Sequence, residues 1–298
     1  MKRTILPLLL CAAMLTGCSG TTTSQAELPS LDSMIGEEPT QAVPSFTGQI
    51  YYATDHGTPD PALMKRWQAD LEAKGHTWQA DVLADVPAAT DTVLVLNAPA
   101  EDITQQDVDA LDALFEAGGH MLLVMPANEA PVRYKFLERV LETYCIQMDY
   151  DLVTDSAEGH SVADSGAILM NMIGTPEGMP LSAQAAAPPL LMDDVRSFSF
   201  FVSDNYGSIH MDAMLETYDT AVGTPCGGTE EDPETFENKT LMTMVYAYDD
   251  LRQNASVVAV GSGDFLLDAG YDEALSAKPR DWVTASITWM IWLNNRSG

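Results

Sequence analysis

Basic residues are scarce in this chain. Its 298 residues include 14 lysines and arginines against 44 aspartates and glutamates, which gives a formal net charge of −30 at pH 7. A surface this negative repels the phosphate backbone of nucleic acids, so the sequence predicts no nucleic-acid partner. It also offers no polybasic patch for an anionic membrane surface. We interpret the acidity as typical of a surface kept in solution outside the cell, not as an acid-specific function.

Nucleotide-binding and catalytic motifs are also missing. No Gly-Lys-Ser/Thr occurs, which excludes a Walker loop, and no Gly-x-Ser-x-Gly occurs, which argues against a nucleophile elbow. The stretch "SVVAVGSGDFLLD", Ser256 to Asp268, places two glycines after an apolar run but lacks the third glycine of a dinucleotide fingerprint. We therefore interpret it as the end of a buried strand with a tight turn, and we expect no cofactor.

The N-terminus carries the pattern of a targeting segment. Lys2 and Arg3 precede an apolar stretch over 5–15 that is too short for a comfortable membrane span, and "LTGC" then ends at Cys18. This pattern resembles a bacterial lipobox, whose cysteine is acylated and becomes the new N-terminus. A thiol carrying a diacylglyceryl group supplies two chains and anchors stably. We expect a signal peptide over 1–17 and a protein held to membrane lipid through Cys18, on the extracytoplasmic side.

Cysteine is scarce beyond the signal peptide, where only Cys145 and Cys226 follow the lipid site. Their spacing does not define a disulfide, and Cys145 lies in a predicted amphipathic helix, so we expect a buried thiol there. No histidine motif accompanies them as a zinc site requires. The acidic runs "DYDLVTD" and "TEEDPETFE" lack the spacing and the glycine of a calcium loop, so no metal is predicted.

The rest of the chain divides into a tether and a domain. Residues 18–46 are rich in Ser, Thr, Pro and Glu and have no apolar period, which predicts a flexible tether. From residue 47 to 298, strand-like and helix-like segments alternate with short links. This alternation predicts an α/β domain whose open, mostly parallel sheet is flanked by helices. Residues of about 155–240 fit the alternation poorly and predict an irregular insertion.

Individual segments support this division. "DTVLVLNAP" and "HMLLVMP" are buried strands by composition, and "CIQMDYDLVTD" is predicted as one further strand. Thr104 and Asp107 form a variant capping box at the start of a helix. Leu63, Trp67 and Leu71 recur at helical spacing and predict one apolar face. "DWVTASITWMIWLN" closes the chain as an apolar helix, too short and too hydroxylated to span a membrane.

Five pieces of the sequence stand in a distinctive order. They are the turn Asp55-His56-Gly57-Thr58, "LEAKGH", "DTVLVLNAPAEDITQQDVDALDALFEAGGHMLLVMPA", "LETYCIQMDYDLVTD", and "VVAVGSGDFLLD" followed by "PRDWVTASITWMIWL". In order and spacing they resemble the extracytoplasmic domain of the gliding-motility type, GldG-like, ABC-transporter auxiliary proteins. The resemblance runs from about Gln49 to Leu293 with a weak centre. The chain departs from the family in its lipid anchor, where members often have transmembrane helices, and in Gly-Ser-Gly-Asp, where they have Gly-Asp-x-Asp.

The resemblance implies a fold like class I glutamine amidotransferase or flavodoxin-like domains. It also implies a role as the non-catalytic partner of an ABC permease and ATPase. Enzymes on the amidotransferase scaffold place a cysteine at a sharp strand-to-helix turn, whereas the comparable Met125-Pro126-Ala127 has no thiol or hydroxyl. We therefore expect a binding component of a transport system or cell-envelope assembly and not an enzyme.

Polar residues follow several of the predicted strands. In open α/β sheets, ligands bind beyond the carboxyl ends of the strands, so we predict that these residues share one crevice for a partner or small ligand. An alternative is a solute- or glycan-binding lipoprotein acting alone through the same crevice, and another is a hydrolase centred on His56 and Ser262. The same groups could also simply cap strand and helix ends. The residues of the predicted crevice are Asp55, His56, Gly57, Asn97, Gly261, Ser262, Gly263 and Asp264.

Overall fold

Three nearly continuous apolar runs form the centre of a large sheet. They are β3 (Thr92–Asn97), β4 (His120–Val124) and β14 (Ala255–Val260), and each is buried along its whole length, as a strand covered on both faces must be. In this computed structural model β4 lies between β3 and β14, and both pairings are parallel. The structure describes residues 46–127, 132–162, 166–201, 206–226, 236–237, 240–269 and 271–296. The predicted signal peptide, Cys18 and nearly all of the tether lie outside them.

The described residues contain four α-helices and fourteen strands. The helices are α1 (Lys65–Ala73), α2 (Gln105–Glu116), α3 (Lys135–Glu142) and α4 (Glu273–Asn295). The other strands are β1 (Gln49–Ala53), β2 (Thr77–Asp81), β5 (Ile146–Met148), β6 (Asp151–Thr154), β7 (Ile168–Met172), β8 (Leu190–Met192), β9 (Phe198–Phe200), β10 (Ile209–Glu216), β11 (Val222–Pro225), β12 (Phe236–Glu237) and β13 (Met242–Asp249).

The main sheet has the strand order β2-β1-β3-β4-β14-β13-β10-β7-β8. The pairs from β2 to β14 are parallel, and the pairs from β14 to β8 are antiparallel. The protein is therefore an α/β protein with a large mixed sheet, and the prediction of a mostly parallel sheet is wrong for the second half. The turn over 250–254 that joins β13 to β14 is too short for a parallel crossover, which dictates an antiparallel pair.

The region predicted as an irregular insertion, 155–240, supplies most of this antiparallel half. It contributes β7, β8 and β10 to the main sheet, while β9 pairs with β5 and β13. β11 pairs with β6 and β12 in a small separate sheet. "CIQMDYDLVTD" is consequently not one strand. It contains β5 and β6, which belong to different sheets.

Helices cover the two faces of the main sheet and enclose two apolar cores. On one face, Trp67 of α1 packs in a core with Trp282 and Trp289 of α4. On the other face, Phe115 of α2 packs in a core with Leu137, Val140 and Leu141 of α3 and with Cys145. Cys145 is buried, as predicted, but it follows α3, which ends at Glu142, and does not lie in a helix. No helix among the described residues is long and apolar enough to cross a membrane.

The first helix begins later than its apolar spacing predicts. A 3-10 turn over Pro61–Leu63 precedes α1, so Leu63 is 47% exposed and does not share the buried face of Trp67 and Leu71. Met64, which follows this turn, is fully buried instead. The change from three to 3.6 residues per turn rotates the first apolar residue away from the core.

Candidate functional site

The carboxyl ends of β1, β3, β4 and β14 lie along one edge of the sheet, because these four strands are parallel neighbours. We call this the carboxyl edge. All the predicted crevice residues follow or end one of these strands, so the structure brings them to the carboxyl edge. They separate into two groups, however, which point toward different faces. His56 contacts Asp107 in the first turn of α2, and Asp55 adjoins His56, whereas Asn97 approaches Met64, which directly precedes α1.

His56 sits in a tight turn directly after β1. His56 and Gly57 both have left-handed backbone conformations, with φ of 57° and 70°. Thr58 Oγ1 donates a hydrogen bond to the Ala53 carbonyl at 2.7 Å, and the His56 carbonyl accepts one from Ala100 N at 2.8 Å. A Cβ on Gly57 would lie 2.7 Å from the Cβ of Ala100. The turn therefore requires glycine at Gly57 and holds the His56 backbone against the loop that leads to α2.

The His56 side chain meets two carboxylates. Its Nε2 lies 3.1 Å from Asp107 Oδ2 and 3.3 Å from Asp55 Oδ2. His56 is 9% exposed and Asp107 is 3% exposed, whereas Asp55 reaches solvent. We call Asp55, His56 and Asp107 the acid–histidine cluster. The sequence identifies Asp107 only as part of a capping box and does not connect it with His56.

Both carboxylates of the cluster are held by backbone donors. Asp107 Oδ2 accepts from Thr104 N at 2.7 Å and from Thr104 Oγ1 at 2.6 Å, which confirms the predicted capping box. Both oxygens of Asp55 accept from Leu83 N, each at 3.2 Å. The carboxylates are therefore oriented before anything binds between them.

Asn97 ends β3 on the other face of the sheet. Its Nδ2 donates to Tyr52 Oη and approaches Met64 Sδ, each at 3.4 Å. Its Oδ1 is buried and has no hydrogen-bond partner among the described residues. Tyr52 Oη in turn donates to the Pro59 carbonyl at 2.8 Å, and burial raises the pKa of Tyr52 to about 12. Asn97 is thus paired with Tyr52 through Nδ2, while its Oδ1 is a buried acceptor without a partner among the described residues.

The turn "GSGD" follows β14, and the chain's own backbone covers it. Gly261 N donates to the Thr243 carbonyl at 2.8 Å, and the Gly261 carbonyl accepts from Arg196 N at 2.7 Å. A Cβ on Gly261 would lie 1.9 Å from the Arg196 carbonyl oxygen. The first glycine is therefore required by a crossing backbone segment. The interpretation of this stretch as the end of a buried strand is confirmed, since β14 ends at Val260.

The remaining residues of this turn approach Asn97. A Cβ on Gly263 would lie 3.4 Å from Asn97 Oδ1, so the two residues are neighbours at the carboxyl edge. Ser262 is fully buried, and its Oγ has no hydrogen-bond partner among the described residues. His56, the other residue of the hydrolase alternative, contacts the carboxylates of Asp55 and Asp107.

Acidic residues continue the carboxyl edge beyond Ser262. Although Asp264 reaches solvent, neighbouring protein atoms partly desolvate its carboxyl group, and this desolvation together with Asp194 raises its pKa. Desolvation, followed by the charge of Asp264, raises the pKa of Asp193. Both shifts disfavour the ionised form, so this part of the edge favours a partner that supplies positive charge or a hydrogen-bond donor.

Arg196 is a buried charge that the sequence does not single out. It is 1% exposed, its guanidinium lies 5.2 Å from the centre of the Tyr150 ring, and burial lowers its pKa. Its Nε and Nη1 have no hydrogen-bond partner in the described part of the chain. Arg196 lies in the region of 155–240, where no periodic pattern indicates which residues are buried.

Comparisons with known proteins bear on the fold. No protein-family model matches the chain, and no curated protein matches it significantly in sequence. Among solved structures, the mmIFT52 N-terminal domain is similar with a TM-score of 0.57 and 14% identity, over 81% of this chain and 97% of that one. An identity this low concerns the fold alone, and the match supports the α/β architecture.

Two further solved structures are similar at lower scores. Alpha-L-fucosidase isoenzyme 2 from Paenibacillus thiaminolyticus has a TM-score of 0.38 and 10% identity, over 82% of this chain and 33% of that one. A cytoplasmic protein from Salmonella typhimurium has a TM-score of 0.39 and 10% identity, over 81% of this chain and 98% of that one.

Proposed function

We propose that the chain is a non-catalytic, extracytoplasmic lipoprotein that acts as an accessory component of an ABC-type transport system or cell-envelope assembly. It is anchored through Cys18 and belongs with the GldG-like auxiliary proteins. Its partner is a permease subunit, which it contacts with the carboxyl edge of the sheet. We propose no nucleic-acid partner for the protein.

One observation carries this proposal. Most of the segments that resemble the auxiliary family fall on neighbouring elements: β1, β3, β4 and β14 are adjacent strands, and α2 connects two of them. The piece "LETYCIQMDYDLVTD" is the exception, because it covers the end of α3, β5 and β6, outside the parallel strands. Pieces far apart in the sequence therefore belong to one structural unit, which favours a common origin over chance similarity of single motifs. The weak centre of the resemblance coincides with the antiparallel half.

The strand order of this unit supports a finer assignment of the fold. Numbered along the unit, the order β2-β1-β3-β4-β14 is 2-1-3-4-5, the order of flavodoxin-like sheets, whose ligands bind where the order reverses between the first and third strands. We therefore place the parallel half with the flavodoxin-like and amidotransferase-like domains. Asp55 and His56 after β1, and Asn97 at the end of β3, lie at that switch point.

A second candidate function is ligand binding by the lipoprotein alone. Asn97 Oδ1 and Ser262 Oγ are buried without hydrogen-bond partners among the described residues, and such atoms call for an explanation in a folded protein. A hydroxyl or amide of a small solute or glycan could donate to Asn97 Oδ1. This function uses the same carboxyl edge and differs in its occupant.

Lipidation at Cys18 is the first test of the proposal. When the full chain is produced in a bacterium grown with an alkyne-tagged fatty acid, we expect the protein to carry the label, and we expect the Cys18→Ala variant to lose it completely. The physical reason is that Cys18 supplies the only thiol to which the lipobox directs the diacylglyceryl group. Label incorporation and the mass of the N-terminal peptide are the measurements.

Cys11→Ala serves as the matched control, because Cys11 lies within the predicted signal peptide and leaves with it. This variant should be labelled like the wild type. Label that persists in Cys18→Ala, or a wild-type protein without label, would contradict the anchor and with it the proposed location.

A further inference from the structure

We propose that the acid–histidine cluster of Asp55, His56 and Asp107 binds one divalent transition-metal ion, such as Mn²⁺ or Zn²⁺. The metal proposal does not depend on the transport role, although Asp55 and His56 lie on the carboxyl edge. Each residue offers one ligand atom, and these atoms all lie within 4.8 Å of one another. The ion would join the turn after β1 to the first turn of α2.

The spacing of the ligand atoms fits a shared metal ion. His56 Nε2 lies 3.1 Å from Asp107 Oδ2 and 3.3 Å from Asp55 Oδ2. With metal–ligand bonds of about 2.1 Å, two ligands lie about 3.0 Å apart at a right angle and about 3.4 Å apart at a tetrahedral angle. Both observed separations fall between these limits, so an ion can contact the imidazole and either carboxylate without rearrangement.

The direction of His56 Nε2 supplies an independent observation. The side chain is 8% exposed, and Nε2 has no hydrogen-bond partner among the described residues, although two carboxylate oxygens are close enough to accept. The oxygens must therefore flank the direction in which Nε2 points instead of lying along it. A proton on Nε2 would be aimed at neither oxygen, whereas a metal ion in that direction would face both carboxylates.

The surroundings orient the ligands as a metal site requires. Thr104 N and Thr104 Oγ1 hold Asp107 Oδ2, and Leu83 N holds the carboxylate of Asp55. Hydrogen bonds of this kind fix ligand geometry and raise metal affinity. Asp55 is 28% exposed and provides the route by which an ion enters from solvent. Three protein ligands leave further coordination positions for water or for a bound molecule.

The donor set selects the class of ion. One imidazole nitrogen with two carboxylate oxygens suits Mn²⁺, Fe²⁺ or Zn²⁺, whereas Ca²⁺ and Mg²⁺ prefer oxygen ligands alone. Two carboxylates also neutralise a divalent charge. The formal net charge of −30 raises the concentration of cations near the protein, which favours loading of the site.

Binding of Mn²⁺ to the metal-free protein, purified without a histidine tag, tests the proposal. Electron paramagnetic resonance counts bound Mn²⁺, and an excess of Mg²⁺ in the buffer suppresses binding by scattered carboxylates. We expect one tightly bound Mn²⁺ per chain, with a nitrogen coupling from coordinated imidazole in the pulsed spectrum. Mn²⁺ is chosen because it binds thiols weakly, which keeps the cysteines out of the measurement.

Two substitutions locate the site on the cluster. His56→Asn removes the imidazole while asparagine tolerates the left-handed backbone at this position. It should abolish the nitrogen coupling and weaken Mn²⁺ binding at least tenfold. Asp55→Asn should weaken binding to a similar extent while keeping the nitrogen coupling at saturating Mn²⁺. Because Asp55 is partly exposed, this variant decides the question if His56→Asn fails to fold.

His210→Asn is the matched control. His210 Nε2 lies 2.6 Å from Asp250 Oδ2 in an exposed pair with a single carboxylate, so its loss should change neither the stoichiometry nor the coupling. The proposal is overturned if the wild type has no saturable site under excess Mg²⁺, if bound Mn²⁺ shows no nitrogen coupling, or if His210→Asn loses the signal as His56→Asn does.

Discussion

Gly261→Ala should destabilise the protein by about 3 kcal/mol or more, among the largest effects of a single methyl group in this chain. The added Cβ would lie 1.9 Å from the Arg196 carbonyl oxygen and 2.9 Å from its carbonyl carbon. These atoms are backbone, so no side-chain rotation relieves the contact. The hydrogen bond from Arg196 N to the Gly261 carbonyl, at 2.7 Å, would be strained as well. Urea unfolding at neutral pH measures the change.

Gly174→Ala is the control for this substitution. Gly174 has no atom within 4 Å of the position of an added Cβ, and its φ is not left-handed. The control should therefore change the free energy of unfolding by no more than about 0.5 kcal/mol. Equal stability of the two variants would show that the segment containing Arg196 does not cross Gly261 as the structure has it.

Acid should destabilise the fold through two buried histidines. Burial lowers the pKa of His76 to about 4 and the pKa of His120 to about 3, against 6.5 in the unfolded chain. Between pH 6.5 and about 4 the unfolded chain binds protons that the folded chain does not, so stability falls as the pH falls. Each histidine contributes a slope of at most about 1.4 kcal/mol per pH unit, which falls to about half of that at pH 6.5 and is lost above about pH 7.5. Urea unfolding across this range measures the slope.

The hydrogen bonds of both imidazoles are compatible with the neutral form that burial favours. His76 Nδ1 accepts from Gly48 N at 3.1 Å, which requires that nitrogen to be unprotonated. His120 contacts Ser256 Oγ at 2.8 Å and Asn294 Nδ2 at 3.1 Å. His76→Gln should therefore reduce by about one the number of protons taken up on unfolding, whatever its effect on stability at pH 7. The slope of stability against pH should fall accordingly.

The direct check on the histidines is proton titration by nuclear magnetic resonance. The ring signal of His120 should not move between pH 7 and about 4 in the folded protein. Titration of that signal near pH 6.5 would contradict the expected neutral state and remove the physical basis of the acid slope.

Local patterns in the sequence were sufficient for much of the parallel half. The apolar runs of β3, β4 and β14 have no polar face, so they could only be strands covered on both sides. Thr104 and Asp107 mark the start of α2 through hydrogen bonds within four residues. The antiparallel half was not predictable in this way. β7 and β8 are short, with five and three residues, and the pairs β10–β13 and β10–β7 join segments far apart in the sequence.

The sequence indicated at which edge of the sheet the candidate residues lie, but not which of their side chains contact one another. Strand ends place Asp55, His56 and Asn97 at one edge, yet the face on which each side chain lies depends on register and packing. Asp107 approaches His56 only because the start of α2 packs against the turn after β1. Arg196 reaches Gly261 from a remote segment, and no local pattern marks that contact.

The central claim, that the carboxyl edge contacts a permease subunit, is tested most directly by site-specific photo-cross-linking in the source cells. A photoreactive amino acid replaces Asp264, which is exposed at the carboxyl edge. The control replaces Leu251, which is 84% exposed in the turn before β14, at the opposite edge of the sheet. We predict that Asp264 cross-links to a permease subunit identified by mass spectrometry and that Leu251 does not. Cross-links to no transporter subunit, or equal cross-linking from both positions, would contradict the proposed function.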